Sequence, residues 1–302
     1  MPIKSLVFGL FFVLVGLKLT GKVLDYRAEH SSRQMFQFDE EGIIVGAGPV
    51  AIQKGSQRAV VFIPGLLQST QIFQNLAKDL ASRINADFYI PLMPHMGRNL
   101  DSLRRFNNED NLAFIKSYLS DLSNKYNSLE IIGHSYGATL LVHLHRLQEL
   151  PSNARYTFYA PALYVPINDM AHKMQINAFL LFRKYCDYKA IGCTFPSYES
   201  GDEGARSYLD NQMLPPYIVL EPVLQVFDLD TEENQRHLAS FPESHVITMA
   251  KDDNRVNFIV LSKVCQENPR CQLVSYDSGS HVVHQGNRRQ EFADNLVQIM
   301  EL

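Results

Sequence analysis

A chain of 302 residues with 46% hydrophobic composition can bury one large α/β core, or one such domain with a covering insertion, but not comfortably two full domains. The 28 basic and 32 acidic residues leave a net charge of -4. No long like-charged block stands out, so the electrostatic footprint of a nucleic-acid-binding protein is missing and nucleic acid is excluded as an expected partner.

In chain order, Met1 to Lys4 form a short basic start, followed by an apolar run from Leu6 to Leu17 that only Gly9 and Gly16 interrupt. This is a secretory targeting pattern. Lys18 ends the run after about a dozen residues, whereas a membrane span needs about 20. Leu19 to Leu24 supply the missing length if Lys18 and Lys22 snorkel to the interface. Leu19-Thr20-Gly21 makes a poor cleavage site, and no cysteine lies nearby to take a lipid. An uncleaved anchor, a cleaved signal and a buried helix are the three readings. The expected organisation is a hydrophobic signal or anchor segment at 1–24, a polar linker at 25–35 (DYRAEHSSRQM) and a single domain at 36–302. The domain is expected to be membrane-anchored on the exported side, or secreted or periplasmic if the segment is cleaved. Cys186 with Cys193, and Cys265 with Cys271, are spaced for local disulfides in an oxidising compartment or are four buried thiols. Neither pair has zinc-knuckle spacing.

From Arg58 onward, short β-branched or aromatic runs alternate with segments of helical period, which predicts βαβ units and a mostly parallel sheet. Strands are expected at 58–63, 87–90, 128–132, 155–159, 245–249 and 272–276. Helices are expected at 70–84, 108–126, 136–150 (ended by Pro151), 255–267 and from Arg288, capped by Asn287. Residues 163–240 break this rhythm and read as an insertion. Its Phe179, Leu180, Leu181, Phe182 and Tyr185 suit an apolar acyl group, although a covering helix would bury such residues in any case.

Gly133-His134-Ser135-Tyr136-Gly137 matches G-x-S-x-G between an apolar strand and a helix, the context that motif requires. A serine hydroxyl is a weak nucleophile and needs a base that is itself oriented by a third group. Two later βα loops end on the same sheet edge: one carries Asp252-Asp253, the other His281. Ser135 is the expected nucleophile, His281 the base and Asp253 the acid, with Asp252 its close competitor and Asp228 and Asp230 weaker ones. His284 is expected at the surface or on the first turn of the last helix, and His143 and His145 as surface or packing residues. The expected oxyanion donors are the amides of Tyr136 and Leu66, the latter in the loop opened by Pro64-Gly65.

Strand-PGL (58–66), GHSYG (133–137), Ala250 to Val256 and SGSHVV (278–283) are similar in order and spacing to the esterase/lipase branch of the α/β-hydrolases, the bacterial carboxylesterases and monoacylglycerol-lipase-like enzymes in particular. The similarity covers about residues 36–302. The family usually carries His-Gly where this chain has Pro64-Gly65, and G-x-x-D where it has Ala250-Lys251-Asp252-Asp253; the second correspondence favours Asp253. The resemblance implies the α/β-hydrolase fold, a lid at 163–240 and hydrolysis of a small-molecule or lipid carboxylic ester, with no cofactor or metal. Acyl transfer, thioester cleavage and amide cleavage use the same machinery. A membrane-tethered binding protein on this fold is the reading from another class.

Overall fold

The computed structural model describes residues 16, 19, 22, 23, 25–34, 36–165, 194–196 and 217–301. Its centre is a seven-stranded sheet in the order β1-β3-β2-β4-β5-β8-β9. The strands are β1 (Val50–Ile52), β2 (Arg58–Ile63), β3 (Asp87–Ile90), β4 (Ser128–His134), β5 (Ala154–Tyr159), β8 (His245–Ala250) and β9 (Cys271–Tyr276). Only β1 runs antiparallel to its neighbour, β3; every other pairing is parallel. β2, β3, β4 and β8 are buried almost throughout, and this is why they are written as apolar runs without alternation. A second, two-stranded sheet pairs β6 (Thr194–Pro196) with β7 (Tyr217–Val219).

The helices are α1 (Gln71–Arg83), α2 (Leu100–Leu103), α3 (Asn108–Lys125), α4 (Tyr136–Arg146), α5 (Leu220–Leu229), α6 (Glu232–Ala239), α7 (Phe258–Glu267) and α8 (Arg289–Glu301). Strand order steps outward from β2 to β3 and then back across to β4, β5, β8 and β9. Right-handed crossovers therefore put α1 on one face and α3, α4 and α7 on the other. α8 packs with α1, and α4 packs with α3, α5 and α6. Side-chain caps fix four of the starts: Asn99 for α2, Asn107 for α3, Thr231 for α6 and Asn257 for α7. The Asn257 cap moves the start of α7 to Phe258, three residues after the expected position.

Two other expectations change. Residues 25–34, expected as a linker, are helical, with Ala28 and Ser32 buried. Helix α4 stops at Arg146, before Pro151, because Gln148 takes a positive φ of 59°. β1 is too short to leave a sequence pattern. Cys265 and Cys271 form a disulfide with Cα atoms 5.1 Å apart. Cys186, Cys193 and the apolar residues at 179–185 lie outside the described residues, as does 1–15; among the described residues no helix is long and apolar enough to cross a membrane.

The insertion separates β5 from β8. Its described ends meet at Asp230, whose carboxylate accepts from the Tyr164 amide (2.9 Å), the Val165 amide (3.2 Å) and the Gln235 side chain (2.7 Å). Asp230 is thus a clamp for the insertion, away from the catalytic role weighed for it.

Candidate active site

The sheet brings Ser135, Asp253 and His281 to one edge, beyond the C-terminal ends of β4, β8 and β9. Such an edge is where ligands bind in open parallel sheets. Ser135 is held at φ 52°, ψ -118°, a strained conformation for a residue with a Cβ. Three backbone bonds hold it there: the Ser135 amide donates to the Tyr159 carbonyl (2.8 Å), and the Ser135 carbonyl accepts from Thr139 (3.1 Å) and Ala162 (3.2 Å).

The flanking glycines are required by space. A Cβ on Gly133 would stand 2.7 Å from the Ala138 Cα, and one on Gly137 would stand 2.5 Å from the Ile63 carbonyl oxygen. Strand and helix can approach this closely only where no side chain intervenes, so the motif is a packing constraint as well as a catalytic signature.

The loop after β2 turns at Gly65–Gln68, closed by the Gln68 amide on the Gly65 carbonyl (3.2 Å), with Leu67 at φ 59°. The side-chain oxygen of Gln68 accepts from the Gly65 amide at 2.6 Å. Leu66 lies within this turn, and the Pro64 carbonyl just before it lies against Gly137 at the start of α4. Tyr136 opens α4, where a first-turn amide has no intrahelical acceptor.

His281 lies in a 3-10 turn, Ser280–Gln285, after β9. Its Nδ1 is 2.8 Å from Asp253 Oδ2, and the Asp253 side chain is 0% exposed. The other Asp253 oxygen accepts from the amides of Arg255 (2.8 Å) and Val256 (3.1 Å). Burial by itself would raise the carboxyl pKa. The His281 charge, its hydrogen bond and the two amides outweigh burial and hold the pKa below the ordinary value.

Asp252 is exposed, yet its carboxylate is engaged. Its two oxygens accept from the amides of Ser280 (3.0 Å) and Gly279 (3.3 Å), while Lys251 pairs with Asp277 (2.7 Å). The adjacent carboxylates therefore divide the work: Asp253 meets the imidazole, and Asp252 braces the loop that carries it.

His284 is not at the surface. It is 1% exposed, with Nε2 donating to the Ile72 carbonyl (3.1 Å) and Nδ1 accepting from the Tyr159 hydroxyl (3.0 Å). Burial pushes its pKa down to about 3. It is a neutral strut under the site.

His134 is a connection with no signal in the sequence beyond its place in the motif. Its Nδ1 is 3.0 Å from the Gln68 oxygen and its Nε2 is 2.9 Å from the His281 carbonyl. The Gly65 amide fixes the orientation of the Gln68 amide, so both ring nitrogens face carbonyl oxygens. Complete burial above all, and the unfavourable meeting of a second positive charge with the neighbouring imidazoles of His281 and His284, hold the His134 pKa well below the ordinary value. A neutral imidazole has one N–H, and it serves one of these two oxygens at a time. One ring thus links the expected oxyanion turn, the elbow and the loop of His281.

The sheet order, the strained elbow and a histidine loop backed by a buried carboxylate define a hydrolase-type α/β architecture. The chain belongs to the alpha/beta hydrolase family, whose model matches residues 60–295. No functionally curated protein is a significant sequence match. Among solved structures, it is similar to one described with the metagenome-derived lipolytic enzymes LipS and LipT (TM-score 0.66, 15% identity, covering 86% of this chain and 99% of that one). It is also similar to a monoacylglycerol lipase from Paleococcus ferrophilus (0.63, 14%, 83% and 96%). A soluble variant of monoglyceride lipase from Saccharomyces cerevisiae is a third (0.63, 15%, 82% and 89%). At these identities the likeness establishes a shared fold.

Proposed function

We propose that the protein hydrolyses carboxylic esters through an acyl-enzyme on Ser135. The observation that carries this reading is the 2.8 Å contact between His281 and the fully buried Asp253 carboxylate, on the sheet edge where Ser135 is held in its strained turn. Ser135 Oγ attacks the ester carbonyl carbon as its proton passes to His281 Nε2. The amides of Tyr136 and Leu66 hold the resulting oxyanion. Collapse breaks the bond to the alkoxy oxygen, which leaves with the proton from His281. Water then attacks the acyl-serine with His281 as base, and the carboxylic acid is released. Asp253 keeps the imidazole in the tautomer with Nδ1–H and stabilises the imidazolium.

The lipolytic and monoglyceride lipase activities named for the structural neighbours support an ester with an apolar acyl group. The basic, apolar N-terminus supports a domain on the exported side of a membrane, or a secreted or periplasmic one if the segment is cleaved, and the Cys265–Cys271 disulfide suits an oxidising compartment. A fluorophosphonate probe and p-nitrophenyl esters of rising chain length test the chemistry. The wild type is expected to label on Ser135 and to turn over, and Ser135→Ala to do neither. A labelled, active Ser135→Ala variant would remove this serine from the mechanism.

A further inference from the structure

The described residues between 16 and 34 are helical, and they present two opposite faces. Ala28 is fully buried in a cluster with Leu67, Leu100 and Leu103, against which Leu66 also packs. Asp25 pairs with Arg104 (3.4 Å), just past α2. The helix is therefore docked on the turn whose Leu66 amide is assigned to the oxyanion.

Leu19, Val23 and Tyr26 are 61%, 50% and 70% exposed. At 3.6 residues per turn they fall within a sector of about 60°, and Ala28 lies across the helix from them. Among the described residues these three large apolar side chains form one exposed stripe on the face away from the docking contact, with only the His30 ring stacked on Tyr26 at 6.1 Å. Lys22 and Arg27 are exposed beside the stripe. In the sequence, the stripe follows the apolar run 6–17 with its basic start.

We infer that this outer face seats the protein on an anionic lipid surface, and that the helix thereby holds the active-site edge against the bilayer so that ester substrates are taken from the membrane. The inference rests on the ester-hydrolase reading above and supplies its substrate class: amphiphilic esters resident in a bilayer. Amphipathic helices with a basic flank bind such surfaces through buried apolar area plus attraction to anionic headgroups. This helix differs from a free anchor in being packed on the catalytic turn through Ala28.

The chain contains no tryptophan, so a single introduced indole reports position without background. In the full chain, Tyr26→Trp places the reporter on the stripe. Leu147→Trp places it at another exposed site, 46% accessible, at the opposite end of α4 from the elbow. With phosphatidylcholine vesicles containing phosphatidylglycerol, the Tyr26→Trp emission is expected to shift to the blue and to be quenched by brominated acyl chains, while Leu147→Trp is unaffected. In parallel, Leu19→Gln with Val23→Gln is expected to keep p-nitrophenyl butyrate turnover and to lower turnover of a monoacylglycerol held in the vesicles by about tenfold, the loss of two interfacial apolar side chains. Absence of quenching at position 26 overturns the inference. So does equal turnover of both substrates by the double variant. Shielding of the indole without lipid, together with a doubled mass, would assign the stripe to a second copy and also overturn it. Failure of the wild type to turn over p-nitrophenyl butyrate would instead count against the hydrolase reading, independently of the quenching.

Discussion

Helix α4 has a histidine paired with a carboxylate near each of its ends. Beside its start, His281 meets Asp253 at 2.8 Å; at its last turn, His145 meets Glu243 at 2.9 Å. Distance does not distinguish them. Their surroundings do, because Asp253 is 0% exposed and anchored by two amides, whereas the Glu243 side chain is 50% exposed. The second nitrogen of His145 is occupied by His237 at 2.9 Å, while His281 Nε2 makes no hydrogen bond to a described residue. Burial lowers the His145 pKa by more than Glu243 raises it. The difference teaches that equal contact distances can hide unequal settings: one carboxylate is dry and fixed by amides, the other half-exposed, and only the first pairing suits the base proposed for the reaction.

The sharpest break of this comparison is to remove each imidazole. His281→Ala is expected to lower kcat for an activated ester by at least about 10⁴, because members of a triad act as a unit. His145→Ala should stay within about twofold, as expected for a group that touches no reacting atom. Steady-state kinetics on one p-nitrophenyl ester measures both, and equal losses would erase the distinction.

The carboxylates come next. Asp253→Asn should cost about 10⁴ in kcat, since an amide stabilises the wrong tautomer. Asp252→Asn loosens the Gly279–Ser280 brace and should cost far less, about tenfold, as for a misplaced rather than a missing group. Glu243→Gln should leave kcat unchanged. If the two aspartates cost the same, the division of work between them is wrong.

A smaller effect appears in acid. His284 has its native pKa pushed down to about 3, so below the ordinary value of 6.5 the unfolded chain takes up a proton that the native protein refuses. Stability is therefore expected to fall as pH drops from 6.5 toward 3, by roughly 1.4 kcal/mol per pH unit for this group, and His134 adds in the same direction. Asp253 contributes only lower down, as pH falls below its ordinary 3.8. Urea unfolding of His284→Asn across this range should show a shallower slope than the wild type. The smallest effect is expected from opening the Cys265–Cys271 loop by reduction, a loss of roughly 2 kcal/mol in the chain-entropy model, read as a lower Tm with kcat unchanged.

Much of this was legible in the sequence because buried parallel strands and glycine-bounded turns leave strong local signals. β2, β4 and β8, the elbow at 133–137 and the loop of His281 all fall where the residue pattern placed them. Contacts distant in the chain left no such trace. His284 follows His281 by three residues, yet a non-helical Val282 inside the 3-10 turn directs it into the core. Asp252 is a surface acid as the sequence suggests, but nothing local shows that the loop 27 residues further on presents its amides to it. Residues 25–34 read as a linker because the helix docks through small residues, Ala28 and Ser32, which make no apolar periodicity.

The clamp at Asp230 has a consequence of another kind. One carboxylate gathers both ends of the insertion, so the sheet experiences that long segment as a short connection closed at its base. The β5–β8 register, Tyr156 against His245 through Tyr159 against Thr248, is therefore met by a connection that is tied off before it reaches the sheet.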